Sequence, residues 1–188
     1  MTIHGVTFFW SGTKKIMSRS KPNFLVTGTP GVGKTTFSAS LAQRFGLLHI
    51  PISQLIRDKH LWTERDEERD CTIYDEDLVD AEINRIVGEH PDGGIIFDFH
   101  CSDIVGPEII DYVLVLRCDS DILFKRLSAR GYSLQKVQEN VECEIFRTIL
   151  DEVIEEYPKE KICVIESDTM EQLEEGLNHI QQTVFEKN

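Results

Sequence analysis

The sequence predicts a doubly wound α/β fold in which helices cover both faces of a five-stranded parallel sheet. Five short apolar runs lack the polar alternation of a half-exposed strand, and such runs are typical of parallel strands that are buried on both faces. Helical patterns separate the runs, and this alternation of strands and helices predicts the fold class. The runs are NFLVTG (23–28), LLHIPI (47–52), GIIFDF (94–99), YVLVLR (112–117) and KICVIE (161–166).

The stretches between the runs carry the four-residue spacing of amphipathic helices. Phe37, Leu41 and Phe45 share one helical face after the first run. A longer set follows the fourth run and predicts a second helical face. Its members are Val137, Val141, Ile145, Ile149, Val153 and Tyr157.

A further helix is predicted to run to Arg130. Either Asp119 or Ser120 can cap its start, and Gly131 suits the position just past its end. Residues 57–77 carry charges of both signs with weak periodicity. We expect this segment to be a solvated surface.

Length and composition indicate one globular domain over residues 21–188. The chain has 188 residues, of which 40% are hydrophobic, and a net charge of −13. This charge disfavours a surface that binds nucleic acid by neutralising its phosphates, since such a surface needs clustered Lys and Arg. We therefore expect a basic partner and no direct sequence-specific nucleic-acid binding. The five cysteines form no CxxC pair and predict neither a disulfide framework nor a zinc site. No apolar run approaches the roughly 20 residues that cross a bilayer, and we expect a monomer without a membrane segment.

Residues 1–20 are expected to be a disordered extension. The apolar VTFFW precedes the basic residues of this segment, which is the wrong order for a secretory signal. Two alternatives stay open. A basic segment without acids has some likeness to a mitochondrial presequence, and Met17 offers an alternative first residue.

The sequence GTPGVGKTT at residues 28–36 matches the phosphate-binding loop G-x-x-x-x-G-K-[ST]. An apolar strand precedes it and an amphipathic helix follows, as this motif requires and a plain glycine-rich turn does not. The glycines let backbone N–H groups point at phosphate oxygens. Lys34 is predicted to bridge the β- and γ-phosphates of ATP, and the Thr35 hydroxyl to ligate Mg²⁺.

The run GIIFDF contributes a candidate acid and a candidate base. Enzymes with a phosphate-binding loop need a carboxylate at the end of a neighbouring strand to hold Mg²⁺, and Asp98 follows three apolar residues where such an acid belongs. Its alternative is a cap for the next turn. His100 is either a base that activates water or a hydroxyl, given a reference pKa of about 6.5, or a hydrogen-bonded loop residue.

Three arginines are candidates for phosphate binding, because phosphoryl transfer needs cations around the transferred phosphate. No [NT]KxD sequence indicates a GTPase, and the chain is short for a helicase or transporter ATPase, which leaves small nucleotide and metabolite kinases. Arg57 follows the second run, where a monophosphate acceptor would bind. Arg126 and Arg130 are four residues apart beside a predicted lid, and we predict that Arg126 is catalytic. The alternatives are a solvated position for Arg57 and, for the other two, pairing with local acids or with the helix dipole.

Four segments together resemble the adenylate kinase isoenzyme 6 family over about residues 21–186. They read PNFLVTGTPGVGKTT, DCTIYDED, FDFHCSD and LSARGYSLQKVQENVECEIF. The resemblance implies the fold of P-loop nucleoside monophosphate kinases, with a monophosphate-binding segment at about 51–77 and a short lid at about 129–139. The motif and the resemblance together assign ATP binding to Gly28, Gly31, Val32, Gly33, Lys34, Thr35, Thr36 and Arg130.

The same resemblance implies two activities and a cellular setting. One is an Mg-ATP-dependent kinase that converts ATP and AMP into two ADP. The other is an ATPase that binds a small-subunit ribosomal protein and the pre-ribosome during maturation of ribosomal RNA, in the nucleus and cytoplasm. A metabolite kinase of the shikimate or gluconate type is a further alternative, although it leaves the monophosphate-binding segment unexplained.

Two departures from ordinary adenylate kinases bear on the choice between these activities. Those enzymes continue with Asp-Gly-Phe-Pro-Arg where this chain reads DFHCSD, which removes an acceptor-site arginine, and they carry an acidic and arginine-rich stretch after the lid where this chain reads QENVECEIF. Fewer phosphate-facing arginines favour hydrolysis without an acceptor. Within the resembled family itself, Cys101 stands where the other members have a glycine, which leaves the loop contacts with a partner open.

Overall fold

A computed structural model describes residues 2–3, 6–8, 19–66 and 71–186 of the chain. In chain order the elements are β1 (Thr2–Ile3), β2 (Val6–Phe8), β3 (Phe24–Thr27), α1 (Lys34–Phe45), β4 (Leu48–Pro51), α2 (Ile52–Asp58), β5 (Trp62–Asp66), β6 (Cys71–Tyr74), α3 (Glu76–Glu89), β7 (Ile95–Asp98), β8 (Tyr112–Arg117), α4 (Ser120–Ala129), α5 (Leu134–Ile145), α6 (Thr148–Glu156), β9 (Ile162–Glu166) and α7 (Met170–Ile180). No helix within these ranges is long and apolar enough to cross a membrane.

The main sheet confirms the predicted parallel arrangement, with β3 at the centre of its five parallel strands. Its order is β1-β2-β9-β8-β3-β7-β4. The five strands from β9 to β4 are parallel, and they coincide with the five apolar runs of the sequence. The carboxyl ends of these strands therefore meet at one edge, where ligands bind in open α/β sheets.

Alternate residues of the central strand face two separate helical layers. Phe24 and Val26 pack into a core with α1, α4, α5 and α7, whereas Leu25 packs into a core with α2, α3 and α6. All three side chains are fully buried. Burial of a side chain of this kind contributes about 1.5–3 kcal/mol, so both faces stabilise the strand.

The helical face predicted from Val137 to Tyr157 is divided between two helices. Residue Arg147 adopts a left-handed conformation with φ of 60° and ends the continuity between α5 and α6. Val137 packs in the first core and Val153 in the second, on the opposite side of the sheet. The break carries the chain from one layer to the other, which a constant four-residue spacing does not reveal.

Helix α4 follows its predicted capping pattern. The Asp119 side chain accepts a hydrogen bond from the backbone N–H of Asp121, and Gly131 has the positive φ of 78° that a residue past a helix end requires. The helix therefore begins and ends as its sequence predicts, within one residue.

The charged segment 57–77 contains structure that its composition did not predict. Strands β5 and β6 form a separate antiparallel hairpin, with Glu64 opposite Ile73. Trp62 and Ile73 are exposed. The solvated surface was expected, but the hairpin was not, because mixed charges conceal the weak strand pattern.

The amino-terminal segment also departs from the expectation of disorder. Strand β2 pairs antiparallel with β9, with Val6 opposite Ile165. The outer edge of β9 offers unpaired backbone groups, which a short strand can satisfy. The rest of residues 1–18 lies outside the described residues, so the targeting and upstream-start alternatives stay predictions.

Asn23 joins the amino ends of the strands. Its side-chain oxygen accepts from the N–H of Ile95 at 3.1 Å, and its amide donates to the carbonyl of Ile109 at 3.2 Å. Asn23 is fully buried. One side chain thus satisfies two backbone groups that water cannot reach.

Replacing Asn23 with Ala leaves the N–H of Ile95 unsatisfied, while the carbonyl of Ile109 keeps its bond from Arg19 at 2.8 Å, and we expect the free energy of unfolding to fall by about 2 kcal/mol. Urea unfolding followed by circular dichroism measures the change. The control is Asn84→Ala, since the Asn84 side chain is exposed on α3 and donates to the Asp80 carboxylate. Equal stability of the two variants contradicts the assignment.

Candidate active site

The phosphate-binding loop connects β3 to α1 at the carboxyl edge of the sheet. Gly28 has φ of 139°, and a Cβ built there would lie 2.4 Å from the carbonyl oxygen of Leu116. Only glycine lets the loop pass this close to β8. Gly33 precedes α1 and supplies no capping side chain, so the first N–H groups of the helix can bind an anion.

Lys34 extends back along the loop. Its ammonium donates to the carbonyl of Gly28 at 2.7 Å and to that of Thr29 at 3.2 Å. Burial lowers the pKa of Lys34 to about 8, while the Asp98 carboxylate acts in the opposite direction. At neutral pH the side chain keeps its charge and can bind phosphate oxygens.

Asp98 and Thr35 meet as the sequence predicts. The parallel register pairs Val26 of β3 with Asp98 of β7, and the Thr35 hydroxyl donates to the Asp98 carboxylate at 2.7 Å. Asp98 is buried, and His49 Nε2 lies 3.4 Å from the same carboxylate oxygen. A hydroxyl and a carboxylate at this spacing are the hard oxygen donors that Mg²⁺ prefers, and the two residues fit the predicted metal site.

His100 is exposed to the cleft beside the Asp98 strand end. Its ring lies 4.3 Å from the Phe99 ring, centroid to centroid, and tilts at 46°. Desolvation by the surrounding protein, together with the Lys34 ammonium, lowers the pKa of His100 to about 4. The imidazole is therefore neutral at physiological pH and can accept a hydrogen bond or a proton.

These groups line a cleft of about 680 Å³. Its lining comprises Pro30, Gly31, Gly33, Lys34, Thr35, Thr36, Pro51, Ser53, Gln54, Arg57, Asp98, Phe99, His100, Arg130, Tyr132 and Lys136. Four of these residues are cations and one is a carboxylate. A concentration of cations in a chain of net charge −13 indicates an anionic ligand.

The cations come from three separate elements. Arg57 projects from α2 and donates to Gln54 at 2.8 Å. Arg130 follows α4, and Lys136 lies in the first turn of α5, where its ammonium sits 5.1 Å from the centre of the Tyr132 ring. The predicted lid thus contributes two cations to the cleft that the phosphate-binding loop lines, and α2 contributes a third.

Arg126 is not among the residues that line this cleft, and its catalytic role stays a prediction. Its guanidinium donates to the carbonyls of Ser167 and Asp168, each at 2.8 Å, and lies 3.3 Å from the sulfur of Cys118. Arg130 caps the end of α4, and its N–H still donates to the carbonyl of Arg126, yet Arg130 lines the cleft and Arg126 does not. Arg126 instead holds the loop after β9.

Two residues of the predicted ATP site shape the loop rather than line the cleft. Val32 is fully buried in the first core, and its carbonyl accepts a hydrogen bond from the Ser167 hydroxyl at 2.6 Å. Gly28 contributes the carbonyl that Lys34 holds.

Several cleft residues were missed by the sequence reasoning. Two of them, Ser53 and Gln54, lie on α2 close to Arg57 in the sequence. The other two, Tyr132 and Lys136, lie within the predicted lid near Arg130. Their closeness to these two arginines in the sequence could have indicated that they line the cleft. His49 is a polar residue inside an apolar strand. That interruption was the signal for its contact with Asp98.

The fold and cleft define a P-loop protein of the nucleoside monophosphate kinase fold. Two solved structures share the architecture. Shikimate kinase from Bacteroides thetaiotaomicron has a TM-score of 0.53 at 18% identity, covering 86% of this chain and 96% of that one. A gluconokinase from Sinorhizobium meliloti has a TM-score of 0.51 at 12% identity, covering 90% and 99%. At these identities the likeness concerns the fold alone.

Sequence comparisons identify the family. The model of the family described as an AAA domain matches residues 25–147. The adenylate kinase isoenzyme 6 homolog of Caenorhabditis elegans is 42% identical over 164 residues, which cover 87% of this chain and 89% of the relative. The homolog FAP7 of Saccharomyces cerevisiae is 33% identical, covering 86% and 81%. The chain belongs to the adenylate kinase isoenzyme 6 family, as its motifs predicted.

Replacing Lys34 with Ala removes the ammonium that the loop positions for phosphate, and we expect ATP affinity to fall about 100-fold, the worth of a hydrogen bond to a charged group. Titration with a fluorescent ATP analogue in the presence of Mg²⁺ measures it. Lys125→Ala on the exposed face of α4 is the control. Unchanged affinity in the Lys34 variant refutes the phosphate site.

Proposed function

We propose that the protein is a nucleoside monophosphate kinase that transfers the γ-phosphoryl group of ATP to AMP and releases two ADP. The observation that carries the proposal is the position of Arg57, which lines the same cleft as Lys34 but comes from a different element, α2. A cleft with cations from separate elements suits two phosphorylated ligands that meet within it.

Each part of the cleft binds a different part of the two substrates. Loop N–H groups and Lys34 hold the phosphates of ATP, and Arg57 holds the phosphate of AMP. Arg130 and Lys136 face the transferring group from the lid and stabilise the negative charge around it. Thr35 and Asp98 would hold Mg²⁺, which neutralises phosphate charge when it is bound.

The kinase assay mixes the protein with Mg-ATP and AMP and follows ADP by chromatography. ADP formed no faster than from ATP alone refutes the kinase. Shikimate and gluconate serve as alternative acceptors in the same assay, and faster ADP formation with either one supports a metabolite kinase instead.

Arg57→Ala is expected to raise the Michaelis constant for AMP by about tenfold or more, because a charge-assisted hydrogen bond to the acceptor phosphate is lost. ATP hydrolysis without AMP should stay within about twofold, since Arg57 does not serve the ATP side. Initial rates over a range of AMP concentrations test this. Arg44→Ala, an exposed arginine of α1 that pairs with Glu174, is the control.

A second candidate function is supported by His100. A neutral imidazole open to the cleft near Asp98 is suited to accept a proton from water that attacks ATP. In this function the protein is an ATPase that captures a basic small-subunit ribosomal protein and acts on the pre-ribosome during processing of ribosomal RNA, in the nucleus and cytoplasm. The net charge of −13 supports capture of a basic partner.

His100→Ala is expected to slow ATP hydrolysis about 100-fold, which is a typical contribution of a general base. Affinity for ATP should change by less than about threefold, because no phosphate contact is lost. Steady-state turnover and analogue binding are measured on one preparation. Comparable losses in both quantities mean that His100 is structural, and His90→Ala, at the far end of α3, controls for a histidine deletion.

The partner arm repeats the turnover measurement with a purified small-subunit ribosomal protein and with lysozyme as a basic control. Stimulation by the ribosomal protein alone supports the assembly function. If lysozyme stimulates turnover equally, the effect is one of charge alone and the assembly function is not supported. If the ribosomal protein binds in no nucleotide state, the assembly function is contradicted.

A further inference from the structure

Glu144 is a buried carboxylate that the kinase chemistry described above does not use. It lies one residue before the end of α5 and is 3% exposed. One carboxylate oxygen accepts from Arg117 Nε at 2.6 Å and from the N–H of Cys118 at 3.1 Å. The other accepts from the Thr29 hydroxyl at 2.5 Å.

The partners of Glu144 belong to two separate parts of the fold, the end of β8 and the phosphate-binding loop. Arg117 ends β8, and it also donates to the main-chain carbonyl of Glu144 at 2.8 Å. Thr29 belongs to the phosphate-binding loop and is itself buried. Burying a charge is costly unless it is paired and hydrogen-bonded, and here the compensation comes partly from the loop itself.

The Thr29 bond leads directly into the cleft. The carbonyl of Thr29 accepts from the Lys34 ammonium at 3.2 Å, while its hydroxyl contacts Glu144. The charge of Glu144 also acts on Lys34, where it raises the pKa of the lysine and opposes Arg130, which lowers it. The phosphate-binding lysine is therefore connected to α5 through one residue.

The other end of α5 carries the lid. The helix begins at Leu134, and its first turn contributes Lys136 to the cleft, directly after Arg130 and Tyr132. A helix of 12 residues is rigid on the length scale of the cleft. A fixed point at Glu144 thus determines where the lid cations can travel.

We propose that Glu144 is a positioning residue that anchors α5 to the phosphate-binding loop through Thr29, so that the lid closes in register with Lys34. The inference rests on nucleotide binding in the proposed function. Lid movement then pivots about the Glu144 end of α5 while Arg130 and Lys136 approach the phosphates.

The test uses Thr29, because changing Glu144 would remove the carboxylate that pairs with the half-buried Arg117 and could unfold the protein. Thr29→Val keeps the shape of the side chain and removes only the hydroxyl. Thr29→Ser restores the hydroxyl. Asn23→Ala controls for the loss of buried hydrogen bonds at the opposite end of the sheet, far from the lid.

Hydrogen exchange is measured with and without saturating Mg²⁺ and a non-hydrolysable ATP analogue. Peptides over residues 28–36 report occupancy of the loop, and those over 130–137 report closure of the lid. The unchanged protein, Thr29→Ser and Asn23→Ala should all show protection of both peptides. In Thr29→Val the loop stays protected, whereas lid protection falls by about tenfold, as expected from one lost charge-assisted hydrogen bond.

Turnover gives a second readout that a purely structural role would not move. Thr29→Val should lower kcat by about tenfold in the unchanged background but by less than about twofold when Arg130→Ala is also present, since both changes disable the same lid contact. Equal lid protection in Thr29→Val and the unchanged protein, or additive effects on kcat, overturns the anchor. An unprotected loop in the unchanged protein refutes nucleotide binding, and the proposed function fails with it.

Discussion

The parallel pairing of β3 with β7 is the constraint on which the rest of the site depends. It places Val26 opposite Asp98, so the acid at the end of one strand reaches the first turn of the helix that follows the other. A shift of one residue would turn the Asp98 side chain to the opposite face of the sheet. The hydrogen bond between Thr35 and Asp98 follows from this register, and both apolar layers stabilise it.

Burial in the cleft leaves Lys34 charged and His100 neutral at the same pH. Desolvation lowers the pKa of both Lys34 and His100, to about 8 and about 4. Because the lowered pKa of Lys34 still lies above neutral pH and that of His100 lies well below it, the lysine stays charged at neutral pH and the histidine stays neutral. One cleft thus offers a cation for phosphate and an acceptor for a proton, as enzymes that separate acid and base roles do.

Much of the site could be predicted because its signals are local in sequence. The phosphate-binding loop and the apolar run before Asp98 each specify a backbone arrangement over a few residues. The contacts of Arg126 with the loop after β9 could not be predicted, because helical spacing shows which residues share a face but not which layer that face contacts. The division of α5 from α6 was missed for a related reason, since a left-handed Arg147 preserves the apolar spacing while it redirects the chain. The hairpin at 62–74 was concealed by its charges.

The sequence by itself determined the five parallel strands, the phosphate-binding loop, the acid that faces it and the family, because each depends on short patterns of residues. Only the tertiary structure decided that His49 approaches Asp98, that Arg126 serves the loop after β9, and that Glu144 joins the phosphate-binding loop to the helix after the lid. Thr29 and Glu144 are separated by 115 positions. Their contact arises from the packing of α5 on the end of β8. A local sequence pattern cannot predict a contact between residues that are so far apart in the chain.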